Sequence, residues 1–438
     1  MTETNKSKTS KPRILLVTAA IGKKANSGIL AYDYYSAFKS NGYEIDILTE
    51  YKAEIPENHL YLFQKNSVYF QIKRIKNKIK SITNRFFRIF SNEISSENYY
   101  FFYKYESKPP IKPKLITNKI KKKYDLVLLV FWNSFIGAKA IESIFNKLKC
   151  PIFFLSVDDS TITGGCHYVN DCIGYQRMCE NCPASNGEDF PNQNMKLRKE
   201  IWGKVKPEIF TNNYCKEYYK KSTLFKNKNI NILYPVVNEN LFTPTSNQST
   251  LRRKYGIDNN TFVMFFGAAN VNEPRKGISY LYDALRKFYN IDNISTSNIL
   301  ILIAGNNDQI QDDKICFPYK KLGVLNMYEL ADVFALSDLY LSPSIMDAGP
   351  MMVNQSLSCG TPVVSFDIGV ASDLIKDRGT GYCAKLKDSD DFAKGIKTIF
   401  DLDEIEKKIM NDSCRNIALE TTSYNAIIDK IMKVYGSI

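Results

Sequence analysis

Short apolar runs alternate with helix-spaced stretches along most of this 438-residue chain. Arg13-Ile-Leu-Leu-Val-Thr18 reads as a buried strand, followed by a loop that ends at Gly28. Residues 29–41 carry helical spacing, with Asn41-Gly42 as a stop, and residues 44–48 form the next apolar run. A strand-loop-helix-strand opening predicts a Rossmann-like unit. Residues 125–131 and 151–157 predict further buried strands. A second unit begins near residue 245: residues 261–266 run into Gly267, residues 298–304 into Gly305, and residues 338–341 into a polar loop. Residues 363–366 follow that loop as another strand. Such alternation predicts parallel sheets, and the length predicts two domains. The expected class is therefore α/β with two Rossmann-like domains, residues 1–240 and 241–412. They are joined through the proline-bounded stretch 233–244, and a last helix in 413–438 is expected to pack back on the first domain.

One segment breaks the alternation. Between Lys65 and Lys123 stand 16 Lys and Arg against Glu93, Glu97 and Glu106, a net of +13 that equals the net charge of the whole chain. Residues 55–123 are therefore read as a basic, aromatic-rich insertion in the first domain. Within it Ile72, Ile75, Ile79, Ile82, Phe86 and Ile89 recur at intervals of three and four, one apolar stripe on a helix. Lys73, Arg74, Lys76, Lys78, Lys80, Arg85 and Arg88 surround it, with no acid before Glu93. A core helix explains the stripe alone; an interfacial helix on an anionic membrane explains stripe and charge together. Lys119, Lys121, Lys122 and Lys123 extend that expected footprint. No nucleic-acid-binding module is recognisable, so nucleic acid is not an expected partner. The longest apolar run, residues 126–132, falls well short of the ~20 needed to span a bilayer. With no leader pattern at the N-terminus and ten cysteines expected as reduced thiols or metal ligands, the expected place is the cytoplasm, peripheral on the inner face of the membrane.

Candidate chemistry concentrates in the second half. The stretch Pro343-Ser-Ile-Met-Asp347-Ala-Gly349, followed by a short helix with Gln355 and then Cys359-Gly360-Thr-Pro-Val-Val, reads as strand end, polar loop, helix, stop and strand. A helix start offers free N–H groups and a positive dipole end, suited to a phosphate. Pro274-Arg275-Lys276-Gly277 places two cations in a turn after Gly267, where a solvated surface pair is the plainer reading. An Arg can grip two phosphate oxygens at once. No Gly-x-Gly-x-x-Gly or Walker pattern occurs, which counts against a dehydrogenase or an NTPase.

These motifs, with Leu322-Gly323-Val324-Leu325 and Ala335-Leu-Ser-Asp338, resemble the donor half of the family 4 retaining glycosyltransferases over residues 230 to 385. That family has two glutamates eight positions apart; here Asp347 and Gln355 fill the slots, and Ala268 stands in the usual Arg slot. The resemblance implies the GT-B fold, a nucleotide-sugar donor (UDP- or GDP-linked), retention at the anomeric carbon and a lipid-linked saccharide acceptor in bacterial surface polysaccharide synthesis. It implies catalytic roles for Lys276, Asp347 and Asp158. Donor contacts fall to Gly28, Gly267, Arg275, Leu325, Gly349 and Gln355, and catalysis needs no metal. A degenerate partner subunit and a GT-B nucleotide-sugar epimerase are the rival readings. The epimerase would need carboxylates and His at the cleft in a chain with only two His.

The cysteine-rich loop, residues 164–185, begins Gly164-Gly165-Cys166-His167-Tyr168 and continues through Cys172 and Cys179 to Cys182-Pro183. Its start and finish resemble a subset of bacterial polysaccharide glycosyltransferases. Four cysteines closed by Cys-x-x-Cys suit one structural zinc ion; two disulfides or four free thiols are the plainer alternatives. His167 is open to three readings: metal ligand, acceptor-site base or packed residue.

Overall fold

The structure, a computed structural model, describes residues 11–22, 26–51, 59–63, 106–109, 111–133, 135–185, 187–291, 298–306 and 310–438. Two parallel sheets organise it. The first has seven strands: β1 (Ile14–Thr18), β2 (Ile45–Tyr51), β3 (His59–Phe63), β4 (Leu126–Val130), β5 (Ile152–Leu155), β6 (Glu208–Thr211) and β7 (Ile230–Ile232), in the order β3-β2-β1-β4-β5-β6-β7. Leu16 pairs with Ile47 on one side and Leu128 on the other. Both faces are covered, so β1 is apolar at successive positions: Ile14 and Leu16 enter one core, Leu15 and Val17 the other.

The second sheet has six strands: β8 (Phe262–Asn270), β9 (Ile299–Asn306), β10 (Tyr319–Gly323), β11 (Leu339–Ser342), β12 (Val363–Phe366) and β13 (Gly381–Ala384), in the order β10-β9-β8-β11-β12-β13. Val263 and Phe265 face one core, Met264 and Phe266 the other. Leu281 and Leu285, on the helix Ile278–Tyr289 after the Arg-Lys turn, are buried in that second core.

The strand order reverses once in each sheet, between β1 and β4 and between β8 and β11. At such a point two loops leave the carboxyl ends of neighbouring strands in opposite directions and open a crevice. The residues singled out in the C-terminal half lie on the two loops flanking the β8/β11 reversal.

The chain returns to its first domain at the end. The helix Glu404–Thr421 puts Cys414 and Ala418 into the core of the second domain. Thr422 breaks it, its carbonyl taking the Val237 N–H at 2.9 Å. The helix Tyr424–Tyr435 then lays Tyr424, Ile427, Ile428 and Ile431 on the same core as Tyr34 and Phe38 of the helix Asn26–Ser40. The return thus starts at Ser423, ten residues beyond 413, which falls inside the helix Glu404–Thr421.

The basic segment also divides differently from its charge pattern. Its first residues form the edge strand β3, paired with β2, and its last form the helix Pro113–Lys119, whose Ile116 is fully buried. Lys122 lies 2.9 Å from the buried Asp46, and Lys119 lies over the Tyr61 ring, so part of this cationic cluster serves the fold. The stripe from Ile72 to Ile89 and the seven cations Lys73 to Arg88 lie outside the described residues.

Candidate active site

Two loops are laced together at the β8/β11 reversal. The turn Pro274–Lys276 ends at Gly277, whose φ of +69° is left-handed and where a Cβ would stand 1.9 Å from the Pro343 carbonyl oxygen. Only glycine lets the two backbones approach this closely. The Ile345 N–H donates to the Arg275 carbonyl at 2.8 Å. This lacing delivers Arg275 and Lys276 to one carboxylate: Arg275 Nη1 is 2.9 Å and Lys276 Nζ 2.6 Å from Asp347 Oδ2. The Gly349 N–H donates to Asp347 Oδ1 at 3.3 Å. Burial alone would raise the Asp347 carboxyl, but Lys276 and Arg275 outweigh it and hold it below the usual carboxylate range. Arg275 divides its fork, since its Nε also meets Glu273 Oε1 at 2.5 Å.

The helix Met351–Ser358 starts just beyond, at Pro350, and no side chain caps its start. Gln355 lies on it, 4% exposed. Gly267, on β8, passes beneath this helix; a Cβ there would come within 2.9 Å of Met352 Cε. Leu325 is half-buried in the turn that follows Gly323, held by the reciprocal cap between Asn326 and Glu329. Gly28 belongs to the other domain: a Cβ there would meet Gly22 and Ile21 of the loop after β1, and the next residue, Ile29, packs on the core that holds Val353 and Leu357.

From the first domain, Asp158 stands just past the end of β5. Its Oδ1 accepts the Ser160 N–H at 2.9 Å, and its Oδ2 lies 2.7 Å from His167 Nδ1. Burial would raise this carboxyl too; His167 and Ser160 together bring it below the usual range. Burial would lower the imidazole, and Asp158 reverses that, raising it against the opposing charge of Arg275. The next residue, Tyr168, lies with its ring 5.0 Å from the Arg275 guanidinium. A continuous set of contacts therefore runs from Asp158 through the His167-Tyr168 pair to Arg275, Asp347 and Lys276. Asn212 closes the same seam by donating to the Ala348 carbonyl.

The four loop cysteines, Cys166, Cys172, Cys179 and Cys182, line one cavity of about 20 Å³. All ten cysteines are free thiols, so the structure contains no disulfide in this loop. Burial and the neighbouring thiols push Cys166 up, and burial pushes Cys179 up to about 12.

Several of the residues that hold this site have no local signature. Arg198, fully buried, bonds Glu106 Oε1 through Nε at 2.8 Å and the Thr163 carbonyl at 2.6 Å, and it also holds the Ser160 carbonyl. Asn194 holds the Gly164 carbonyl at 2.8 Å. The helix Phe190–Val205 thereby fixes the start of the cysteine loop. A charged residue among the apolar positions of that helix is the only hint the sequence gives.

Residues 247–415 match the family model described as "Glycosyl transferases group 1". The whole described chain has the GT-B fold, two Rossmann-like domains, and it superposes on solved structures over nearly its full length. Sucrose-phosphate synthase from Thermosynechococcus elongatus aligns with a TM-score of 0.63 at 13% identity, covering 98% of this chain and 99% of that one. Alr3699/HepE from Anabaena, in complex with UDP-glucose, aligns with a TM-score of 0.60 at 14% identity, covering 98% of this chain and 100% of that one. These likenesses establish the fold. In sequence, the chain is 25% identical over 234 residues to the UDP-Gal:alpha-D-GlcNAc-diphosphoundecaprenol alpha-1,3-galactosyltransferase of Escherichia coli, covering 52% of this chain and 59% of that protein. The chain thus spans less than two thirds of that relative.

Proposed function

We propose that this protein is a glycosyltransferase that moves a sugar from a nucleotide-diphosphate donor, with retention, to a lipid-linked saccharide acceptor in bacterial surface polysaccharide synthesis. The observation that carries the reading is the convergence of Arg275 and Lys276 at the β8/β11 reversal, beside an uncapped helix start. Two cations and the positive end of a helix without a side-chain cap suit a diphosphate, whose negative charge grows as the glycosidic bond breaks. Lys276 and Arg275 neutralise the departing diphosphate. Asp347, released from the cations as phosphate takes its place, orients the sugar hydroxyls together with the Gly349 N–H. Gln355 hydrogen-bonds the ribose as donor or acceptor, and the backbone around Leu325 holds the base. Gly267 serves the donor site by letting β8 pass close beneath the helix Met351–Ser358, and Gly28 by letting the loop after β1 close on its own helix.

The acceptor hydroxyl attacks from the face the diphosphate leaves, and its proton passes to the departing phosphate oxygen. Asp158 contacts the acceptor. A diphosphate held by fixed cations needs no divalent metal to leave. The Escherichia coli relative acts on a diphosphoundecaprenol-linked sugar, which supports a lipid-linked acceptor; its UDP-Gal donor and the UDP-glucose bound by the Anabaena neighbour support a UDP-sugar, with a GDP-sugar as the other proposed donor. The enzyme would then work in the cytoplasm, peripheral on the inner face of the membrane.

Incubation with UDP- and GDP-sugars and an undecaprenyl-linked saccharide tests this. The expected result is transfer of one sugar with the donor's anomeric configuration, read by NMR; an inverted product removes the retaining mechanism. A degenerate partner subunit is favoured by one observation, that Asp347 and Gln355 stand where the resembling family has glutamates. That reading requires no donor hydrolysis and no gain when Gln355→Glu restores the carboxylate, whereas the enzyme reading expects slow hydrolysis that Gln355→Glu maintains or raises.

A further inference from the structure

We propose that Cys166, Cys172, Cys179 and Cys182 bind one zinc ion as a tetrathiolate, and that this ion fixes the loop carrying His167 and Tyr168 into the cleft. The four side chains come from successive turns of a segment with little regular structure. Cys166 follows the Gly164-Gly165 turn, Cys172 precedes the turn Gly174–Arg177, Cys179 follows it, and Cys182 lies in the next turn. They nevertheless line a single cavity of about 20 Å³, enough for one water-sized sphere. Its other walls include Val169, Tyr175, Pro183 and Pro191. No Asp, Glu or His lines it, so sulfur is the ligating atom type on offer, and four sulfurs at a closed site select zinc or iron-sulfur chemistry. A cavity for a single ion favours zinc.

The backbone is arranged for thiolates. The Gly174 N–H donates to Cys172 Sγ at 3.3 Å and the Gly164 N–H to Cys179 Sγ at 3.4 Å. Hydrogen bonds from outer partners to ligating atoms orient them and stabilise their charge. Met178, Cys179 and Asn181 all hold left-handed φ of 49–56°, a conformation that persists only where surrounding structure over-determines it. Among the described residues no three His, Cys, Asp or Glu side chains are already gathered as a metal site. Binding therefore draws the sulfurs inward, to about 2.3 Å from the ion, and releases the protons of the buried thiols.

The position of the loop gives the site its consequence. Cys166 is one residue from His167, which pairs with Asp158, and two from Tyr168, which covers Arg275. His167 is thus engaged elsewhere and is not among the ligands.

Protein purified anaerobically in reductant should carry one zinc per chain by elemental analysis. Replacement by cobalt should give the strong thiolate-to-metal charge-transfer absorption of a tetrahedral tetrathiolate site. Changing Cys179→Ser and Cys182→Ser together should lower retained zinc at least tenfold. Should that variant aggregate, the parent protein stripped by chelator gives the same reading: amide exchange across residues 164–185 should accelerate while β8 is unchanged. Metal-free protein under reducing conditions, zinc retained after all four cysteines become serine, or two native disulfides found by mass spectrometry would each overturn the site. Unaltered exchange in the stripped protein would overturn its positioning role.

Discussion

The Arg275 guanidinium lies over the ring of Tyr168, 5.0 Å from its centroid, while its Nη1 holds Asp347 at 2.9 Å. One side chain from the donor half is thus clamped between a carboxylate of its own domain and an aromatic ring of the other. Burial would lower the Arg275 guanidinium, but Tyr168, Asp347 and Glu273 together raise it, so it remains a cation throughout the accessible pH range.

Removing the ring should loosen this clamp. A cation–π contact contributes ~0.5–2 kcal/mol depending on its desolvation, which is roughly a twofold to thirtyfold change in affinity. Tyr168→Ala should weaken UDP or GDP binding within that range, whereas Tyr168→Phe, which keeps the ring, should bind like the parent. Calorimetry decides between them; equal losses in both variants would place the effect in the hydroxyl.

The two cations should differ in weight. A hydrogen bond to a charged group contributes ~1.5–3 kcal/mol, so Lys276→Ala should weaken nucleotide-diphosphate binding by roughly tenfold or more. Arg275→Ala should weaken it less, because part of its fork is held by Glu273. Asp347→Asn is the informative control: it frees both cations, so UDP should bind at least as tightly while sugar transfer falls. Parental UDP and GDP affinity in both cation variants would remove the donor-site assignment.

Much of this was legible in the sequence, and the exceptions share a cause. The alternation of apolar runs pointed to both parallel sheets because a strand covered on two faces is apolar at successive positions, as in residues 14–17 of β1 and 262–266 of β8. Gly277 and the Arg275-Lys276 pair were visible because turn chemistry is local. β3 does not stand out from the insertion because its five half-buried residues, His-Leu-Tyr-Leu-Phe, make a short run beside the charged stretch that follows. The Arg198–Glu106 pair, 92 positions apart, and the Tyr168–Arg275 stack leave no periodic or motif signal at either end. Contacts between distant segments follow from topology, which the pattern fixed only as a class.

A pH dependence follows from the docking of the last helix. Asp33 is 1% exposed; its Oδ1 accepts from Tyr424 Oη at 3.3 Å and its Oδ2 has no hydrogen-bond partner. Burial pushes its carboxyl up to about 7, against the Tyr424 hydrogen bond and with Glu239 adding to the rise. Unfolded, the group titrates near ~3.9, so between about 4 and about 7 the folded state binds the extra proton. Stability from this group therefore falls as pH rises through that window and levels off above it. Asp33→Asn should remove the dependence, so its melting-temperature advantage over the parent should be larger at pH ~8 than at pH ~4. An offset that is equal at both pH values would show that Asp33 is ionised in the folded protein.

The basic segment supplies the last prediction. Its cations from Lys73 to Arg88 flank an apolar stripe without a single acid among them, a combination suited to lying in the interface of an anionic bilayer. Attraction of ~1 kcal/mol per basic residue near such a surface adds to burial of the isoleucines. β3 and the helix Pro113–Lys119 anchor the two ends of the segment on the first domain, which carries Asp158. Docking there would bring the acceptor side of the cleft to the bilayer, where a lipid-linked sugar resides. The protein should co-sediment with phosphatidylglycerol vesicles far more than with phosphatidylcholine vesicles, and high salt should reduce the difference because exposed charges are screened. Replacing Lys73, Arg74, Lys76, Lys78, Lys80, Arg85 and Arg88 by glutamine should abolish the preference while leaving UDP binding intact. Binding that ignores lipid charge, or that survives all seven replacements, would sink the membrane role without touching the donor site.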